Sequence, residues 1–231
     1  MEKRSERPGK VNPLVRTFAF PLDTTVPATV LCLGAHSDDL EIGCGGTILH
    51  LIRTNPNLSV HWIVFSGSGE RGAEARQSAE QFLAGVKSKQ IIVKEYRDGF
   101  FPYSGGPIKD EFDALKKTIS PDLIFTHCRH DLHQDHRLIN ELTWNTFRDH
   151  LILEYEIPKY DGDLGAPNLF VPLDDDIVNQ KTGILLSVFR SQAGKQWFND
   201  ELFRSLMRLR GMECAHSGYA EAFHVRKLTV K

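Results

Sequence analysis

Apolar and polar residues fall along this chain in blocks that predict strand, loop and helix in repeated succession. Val30–Leu33 is a short apolar run that stops at Gly34 and reads as a buried strand. Ile48, Leu49, Leu51 and Ile52 mark a helix that ends near Asn55–Pro56, because proline cannot continue it. Val60–Phe65 reads as a second strand and Ser66–Gly72 as the loop after it. Ala75, Ala79, Phe82, Leu83 and Val86 then recur at the spacing of an amphipathic helix. Gln90–Val93 is a third strand, followed by a helical stripe of Ile108, Phe112, Leu115 and Ile119. Asp122–Thr126 is a fourth strand, Leu138, Ile139 and Leu142 form the apolar face of the next helix, and Leu151–Ile157 is a fifth strand. Helices are predicted over Asp174–Phe189 and Trp197–Met212, the latter with Phe198, Leu202, Leu206 and Leu209 on one side. Ala220–Val230 reads as a closing strand.

This alternation predicts a mostly parallel sheet with helices on both faces. The expectation is one α/β domain over residues 1–231, a Rossmann-like three-layer fold with a C-terminal extension over the site. Residues 1–28 hold four prolines and form a largely irregular arm in which Val15–Phe20 packs on the domain. A chain of 231 residues buries about 70% of its unfolded surface, ample for one core. The formal net charge is −2 with both signs interspersed, which excludes a nucleic-acid footprint and a basic membrane patch. Cys32, Cys44, Cys128 and Cys214 form no Cys-x-x-Cys pair and read as thiols of a reducing compartment. With no signal-peptide core behind Met1–Arg7 and no stretch apolar enough to span a bilayer, the expectation is a cytoplasmic protein.

Chemistry concentrates at two strand ends. The first strand delivers His36-Ser37-Asp38-Asp39, and Gly43-Cys44-Gly45-Gly46 follows, glycines expected to let the backbone turn tightly. Adjacent aspartates point different ways, so one can bind a metal while its neighbour faces a bound water. An Asp-Asp pair alone reads more simply as a helix cap. A second motif at the end of the fourth strand, Asp131-Leu132-His133-Gln134-Asp135-His136, decides between the two. Three protein ligands plus a water is the usual catalytic zinc site. His36, Asp39 and one histidine of the second run can supply them. His127 and His130 read as supporting or loop histidines, and Asp135 also stands where a helix cap would. The Ser66–Gly72 loop lacks the Gly-Lys-Ser/Thr ending of a phosphate loop. Phe100, Phe101 and Tyr103 sit in a Gly/Pro-rich loop and read first as core anchors, second as a wall for a sugar ring.

The paired motifs, His36-Ser37-Asp38-Asp39 with Gly43–Thr47 and then His133-Gln134-Asp135-His136, resemble the PIG-L/LmbE-like family of zinc-dependent N-acetylglucosamine deacetylases. Ser37 stands where that family usually has proline, and Leu40 where it usually has glutamate. The resemblance implies Zn2+ held by His36, Asp39 and His136, with Asp38 as general base. His133 would serve the developing tetrahedral oxygen or leaving amine, and Asp135 would orient a neighbouring histidine. Glu70, Arg71 and Arg76 are substrate-binding candidates, the first two in a Gly-Glu-x-Gly-like stretch. The implied activity is removal of the N-acetyl group from an N-acetylglucosamine-type amino sugar or its conjugate. The implied partner is that substrate, and a homo-oligomer is admitted. The rival readings are a metallohydrolase cleaving another amide or an ester, and a non-catalytic sugar-binding relative.

Overall fold

The computed structural model describes residues 20, 22, 25–215 and 218–229. The Val15–Ala19 part of the predicted arm therefore lies outside the described residues, whereas Phe20 and Leu22 pack against the core.

Seven strands form one sheet, in the order β3-β2-β1-β4-β5-β7-β6. In chain order they are β1 (Ala28–His36), β2 (Leu58–Ser66), β3 (Ser88–Val93), β4 (Leu123–His127), β5 (Ile152–Tyr155), β6 (Leu169–Leu173) and β7 (Tyr219–His224). The helices are α1 (Asp39–Thr54), α2 (Gly69–Phe82), α3 (Gly105–Thr118), α4 (Gln134–Thr146), α5 (Asp175–Val188) and α6 (Asp200–Glu213). The first five strands pair in parallel, with Cys32 opposite Trp62 on one side and Phe125 on the other. The last two strands run antiparallel to their neighbours.

Strand alternation splits the core in two. Val30 and Cys32 of β1 face a cluster built with α1, α2, α5 and α6. Leu31, Leu33 and Ala35 face a second cluster built with α3 and α4. This is the predicted three-layer α/β fold, and the periodicity argument places every parallel strand. β1 lies between β2 and β4, so the chain reverses direction across the sheet there. Such a switch point opens a crevice beyond the carboxyl ends of the strands.

Three expectations need correction. Gly43, Gly45 and Gly46 do not make a turn; they lie inside α1. They are small because neighbours come close: a Cβ on Gly45 would stand 2.6 Å from the Phe82 ring, and one on Gly43 would strike the Tyr155 ring. β6 is a strand that the sequence pattern does not announce, because Pro172 interrupts it; proline is tolerated there because β6 is an edge strand. α6 starts at Asp200, where the Asn199 side chain caps it by accepting the Leu202 N–H at 2.8 Å. Its buried stripe is Phe203, Met207 and Arg210, and Leu209 is exposed. A buried arginine occupies this face because Glu156 receives it at 2.7 Å, a pairing that apolar counting cannot see.

Candidate metal and catalytic site

β1 and β4 are neighbours, and each ends in the motif predicted for it. His36 is the last residue of β1 and Asp39 the first of α1. His133 is the cap of α4, where its Nδ1 accepts the Asp135 N–H at 3.3 Å, and His136 lies in the first turn. Capping at α4 therefore falls to His133 and not to Asp135. Asp38 occupies the cap position of α1 without a capping hydrogen bond. Both aspartates are spared for other work.

Three donor atoms converge. His36 Nδ1 is 3.1 Å from His136 Nε2 and 3.4 Å from Asp39 Oδ2, and His136 Nε2 is 3.6 Å from Asp39 Oδ2. Ligands about 2.0–2.1 Å from a tetrahedral zinc stand roughly 3.3 Å apart, so this triangle matches one face of such a site. The remaining nitrogen of each ring meets a carboxylate. His36 Nε2 is 3.1 Å from Asp135 Oδ2, and His136 Nδ1 is 2.8 Å from Asp131 Oδ2. Carboxylates so placed fix the tautomer and direction of metal-binding histidines. The residues present fit a metal of this kind.

Nearby donors also fall into other combinations, His36 with His133 and His136, His36 with Asp98, His133 and Asp135, and Asp39 with His127 and His136. His127 Nε2 lies 3.2 Å from Asp39 Oδ2, but it already accepts the Ala35 N–H at 2.9 Å. Its lone pair is engaged, so His127 supports the site by stacking on His136, with ring centroids 3.9 Å apart. His130 is exposed. His133 stands beside the triangle, its ring centroid 4.9 Å from that of His36 and 4.6 Å from that of His136.

The electrostatics separate the groups. Burial works against charge on Asp39, but His136, His127 and His36 outweigh it and hold its carboxyl well below the usual range. Burial and the adjacent His127 push His136 down to about 4, with Asp39 and Asp131 opposing. Burial also opposes protonation of His36, yet Asp39, Asp135 and Asp98 together raise it well above an ordinary histidine. Asp38 moves up: burial dominates, Asp39 adds to it, and Arg71 opposes both. Arg71 Nη2 donates to Asp38 Oδ1 at 2.9 Å, while Asp38 Oδ2 is buried with no partner among the described residues. Glu41, on α1 just behind these residues, is pushed up to about 8 by burial.

Of the substrate-binding candidates, only Arg71 is drawn to the site. Glu70 is exposed, and Arg76 is exposed with its guanidinium on the Val93 carbonyl at 3.1 Å. The sequence reading did not assign Asp131, although it lies in the quoted motif, nor Asp98, whose Oδ1 is 3.1 Å from His36 Nε2. It also missed Lys159, 2.9 Å from Asp131. Asp131 carries the one available signal, its place in the histidine motif. No helix among the described residues is long and apolar enough to cross a membrane, and all four cysteines are free.

Comparison with known proteins follows the same lines. The PIG-L family model, described as GlcNAc-PI de-N-acetylase, matches residues 31–147, which include the whole donor triangle. No curated protein matches the chain in sequence. Among solved structures, the fold is similar to N,N'-diacetylchitobiose deacetylase from Pyrococcus horikoshii, with a TM-score of 0.67, 24% identity and coverage of 86% of this chain and 83% of that one. It is also similar to a teicoplanin deacetylase in its zinc-inhibited form, with a TM-score of 0.68, 14% identity and coverage of 88% and 100%. The 4-carboxy-2-hydroxymuconate hydratase of Pseudomonas putida shares the fold too, with a TM-score of 0.65, 16% identity and coverage of 88% and 98%. One fold thus carries different reactions, and the reaction has to be argued from the site.

Proposed function

The chain belongs to the PIG-L family, and from that premise we propose that it is a zinc-dependent hydrolase removing the N-acetyl group from an N-acetylglucosamine-type amino sugar or its conjugate. One observation carries the reading: of two adjacent buried aspartates, Asp39 turns Oδ2 to three histidines and Asp38 keeps Oδ2 without a partner among the described residues. Asp39 is held anionic among three histidines, as a metal ligand must be. Asp38 is raised and keeps one oxygen free, as a base must.

His36, Asp39 and His136 would hold the zinc. Zinc bound there supplies Lewis acidity and brings the pKa of a water from 15.7 to about 7. Asp38 Oδ2 takes the proton of the attacking water. Arg71 grips Asp38 Oδ1 and so aims the free oxygen. His133 contributes its Nε2, because Nδ1 is occupied as the helix cap. From beside the triangle Nε2–H donates a hydrogen bond to the developing oxygen or the departing amine. Asp135 holds His36 and does not touch the reacting atoms, so its part is orientation. Arg71 is also the candidate contact to the sugar, from the first turn of α2.

The test is release of acetate from N-acetylglucosamine derivatives by the zinc-loaded protein. The expected result is acetate and free amine in equal amounts. A cleaved glycosidic bond with the acetamide intact would overturn the reading.

A further inference from the structure

The donor triangle lies wholly inside residues 36–136, yet part of its support comes from beyond the family-matched segment. Lys159 follows β5. Its Nζ stands 2.9 Å from Asp131 Oδ2, the same oxygen that lies 2.8 Å from His136 Nδ1. The other oxygen of Asp131 accepts the His133 N–H at 2.8 Å. Asp131 therefore touches both histidines of the second motif, one at its ring and one at its backbone. Lys159 is held in turn by Asp163, whose Oδ1 receives Nζ at 2.7 Å and whose Oδ2 accepts the Leu132 N–H at 2.6 Å. The side chains of Lys159, Asp131 and Asp163 are only 14%, 3% and 6% exposed.

We propose that Lys159, clamped by Asp163, is a positioning residue for the metal centre: it pins Asp131 so that His136 directs Nε2 at the metal and His133 stays fixed beside it. With only the His133 N–H on Oδ1, the carboxylate of Asp131 can still turn Oδ2 away from the imidazole. A cation on the same oxygen removes that freedom. Low local dielectric strengthens the hold. Lysine and not a neutral donor is required, because two nearly buried carboxylates meet here and would otherwise repel each other. Asp163 serves two ends of the clamp, tying the loop after β5 to the backbone between Asp131 and His133. The C-terminal segment thereby completes a site whose ligands it does not supply. This inference rests on reading His36, Asp39 and His136 as the metal ligands.

The experiment measures zinc affinity by competition with a chromophoric chelator, without substrate, on the full chain. Lys159→Gln should weaken zinc by roughly 10- to 100-fold, the usual cost of losing a partner behind a ligand. Asp131→Asn should cost a similar factor. The double variant should be no weaker than Asp131→Asn by more than about threefold, since Lys159 acts through Asp131. Lys159→Arg keeps the charge and should recover most of the affinity. Asp163→Asn leaves the lysine in place but loosens it, and should weaken zinc by about threefold or more; it decides the matter should Lys159→Gln not fold. Unchanged affinity in Lys159→Gln or in Asp163→Asn, or single losses that multiply in the double variant, would overturn the proposal. Absence of zinc binding by the unaltered chain would overturn it together with the metal reading. Intact zinc effects without any acetate release would overturn the deacetylase reading alone and leave the role of Lys159 standing.

Discussion

The two histidines of the donor triangle are backed by carboxylates in the same way and held in different ways. Asp135, behind His36, accepts the Gly99 N–H at 2.7 Å and the Phe101 N–H at 3.1 Å, both from the connection between β3 and α3. Its partners there are neutral amides. Asp131, behind His136, shares one oxygen with the Lys159 ammonium. The two rings also differ in how they titrate: Asp39 first, then Asp135 and Asp98, outweigh burial at His36, and at His136 burial wins. His36 is raised well above the usual value, whereas His136 is pushed down to about 4 by burial and His127 although Asp131 is in contact. Rings that look interchangeable in outline are thus biased in opposite directions, His36 toward holding a proton and His136 toward releasing it.

The comparison breaks most visibly at the ligands themselves. His36→Ala, Asp39→Ala and His136→Ala should each abolish stoichiometric zinc, read by elemental analysis; full metal content in all three would remove the basis for treating the rings as donors. A smaller effect tests the carboxylates behind them. Asp135→Asn and Asp131→Asn should each weaken zinc by roughly 10- to 100-fold. Only the Asp131 variant should become insensitive to a further change at Lys159.

The asymmetry also predicts a proton count. Because His36 is the ring held protonated, zinc uptake near neutral pH should release about one proton, measurable as a buffer dependence of the binding heat. Zinc affinity should fall as the pH drops. Uptake without proton release would contradict the difference drawn between the two rings.

The smallest effect belongs to a third histidine–carboxylate pair with no place in the triangle. Cys128 and Glu156 push His224 up to about 10, from the ordinary histidine value of 6.5. A raised folded-state value means stability fully present below pH 6.5 and lost as the pH rises through 10. His224→Gln should therefore cost about 1 kcal/mol at pH 6, after allowance for its half-buried position, and nothing above pH 10.5. Urea unfolding at the two pH values checks this, and zinc content should not change.

Much of the site can be read from the sequence because its parts are carried by strong local patterns. Two short apolar runs end in His36-Ser37-Asp38-Asp39 and in Asp131–His136, and β1 and β4 prove to be neighbours. What is hidden there is the pairing of second partners. Asp131 and Asp135 sit in one motif, and nothing local tells which histidine each one meets. Asp135, in α4, reaches back to His36 at the end of β1, and Asp131, in the loop before α4, meets His136 of the helix that follows it. Lys159 lies in a loop with no periodicity and acquires meaning only through two carboxylates brought to it by the fold. Pro172 hides β6, and Arg210 disguises the inner face of α6. In each case a long-range polar contact, or an edge position, overrides the local signal.

The central claim is that Asp38 is the base and its neighbour Asp39 the ligand. It is tested most directly by measuring zinc content and acetate release on the same samples of Asp38→Asn and Asp39→Asn. The account predicts that Asp38→Asn keeps about one zinc per chain and loses roughly 10²–10⁴-fold in turnover. Asp39→Asn should lose zinc and regain part of its activity when zinc is added. Loss of metal in Asp38→Asn with retention in Asp39→Asn would reverse the two roles and contradict the mechanism.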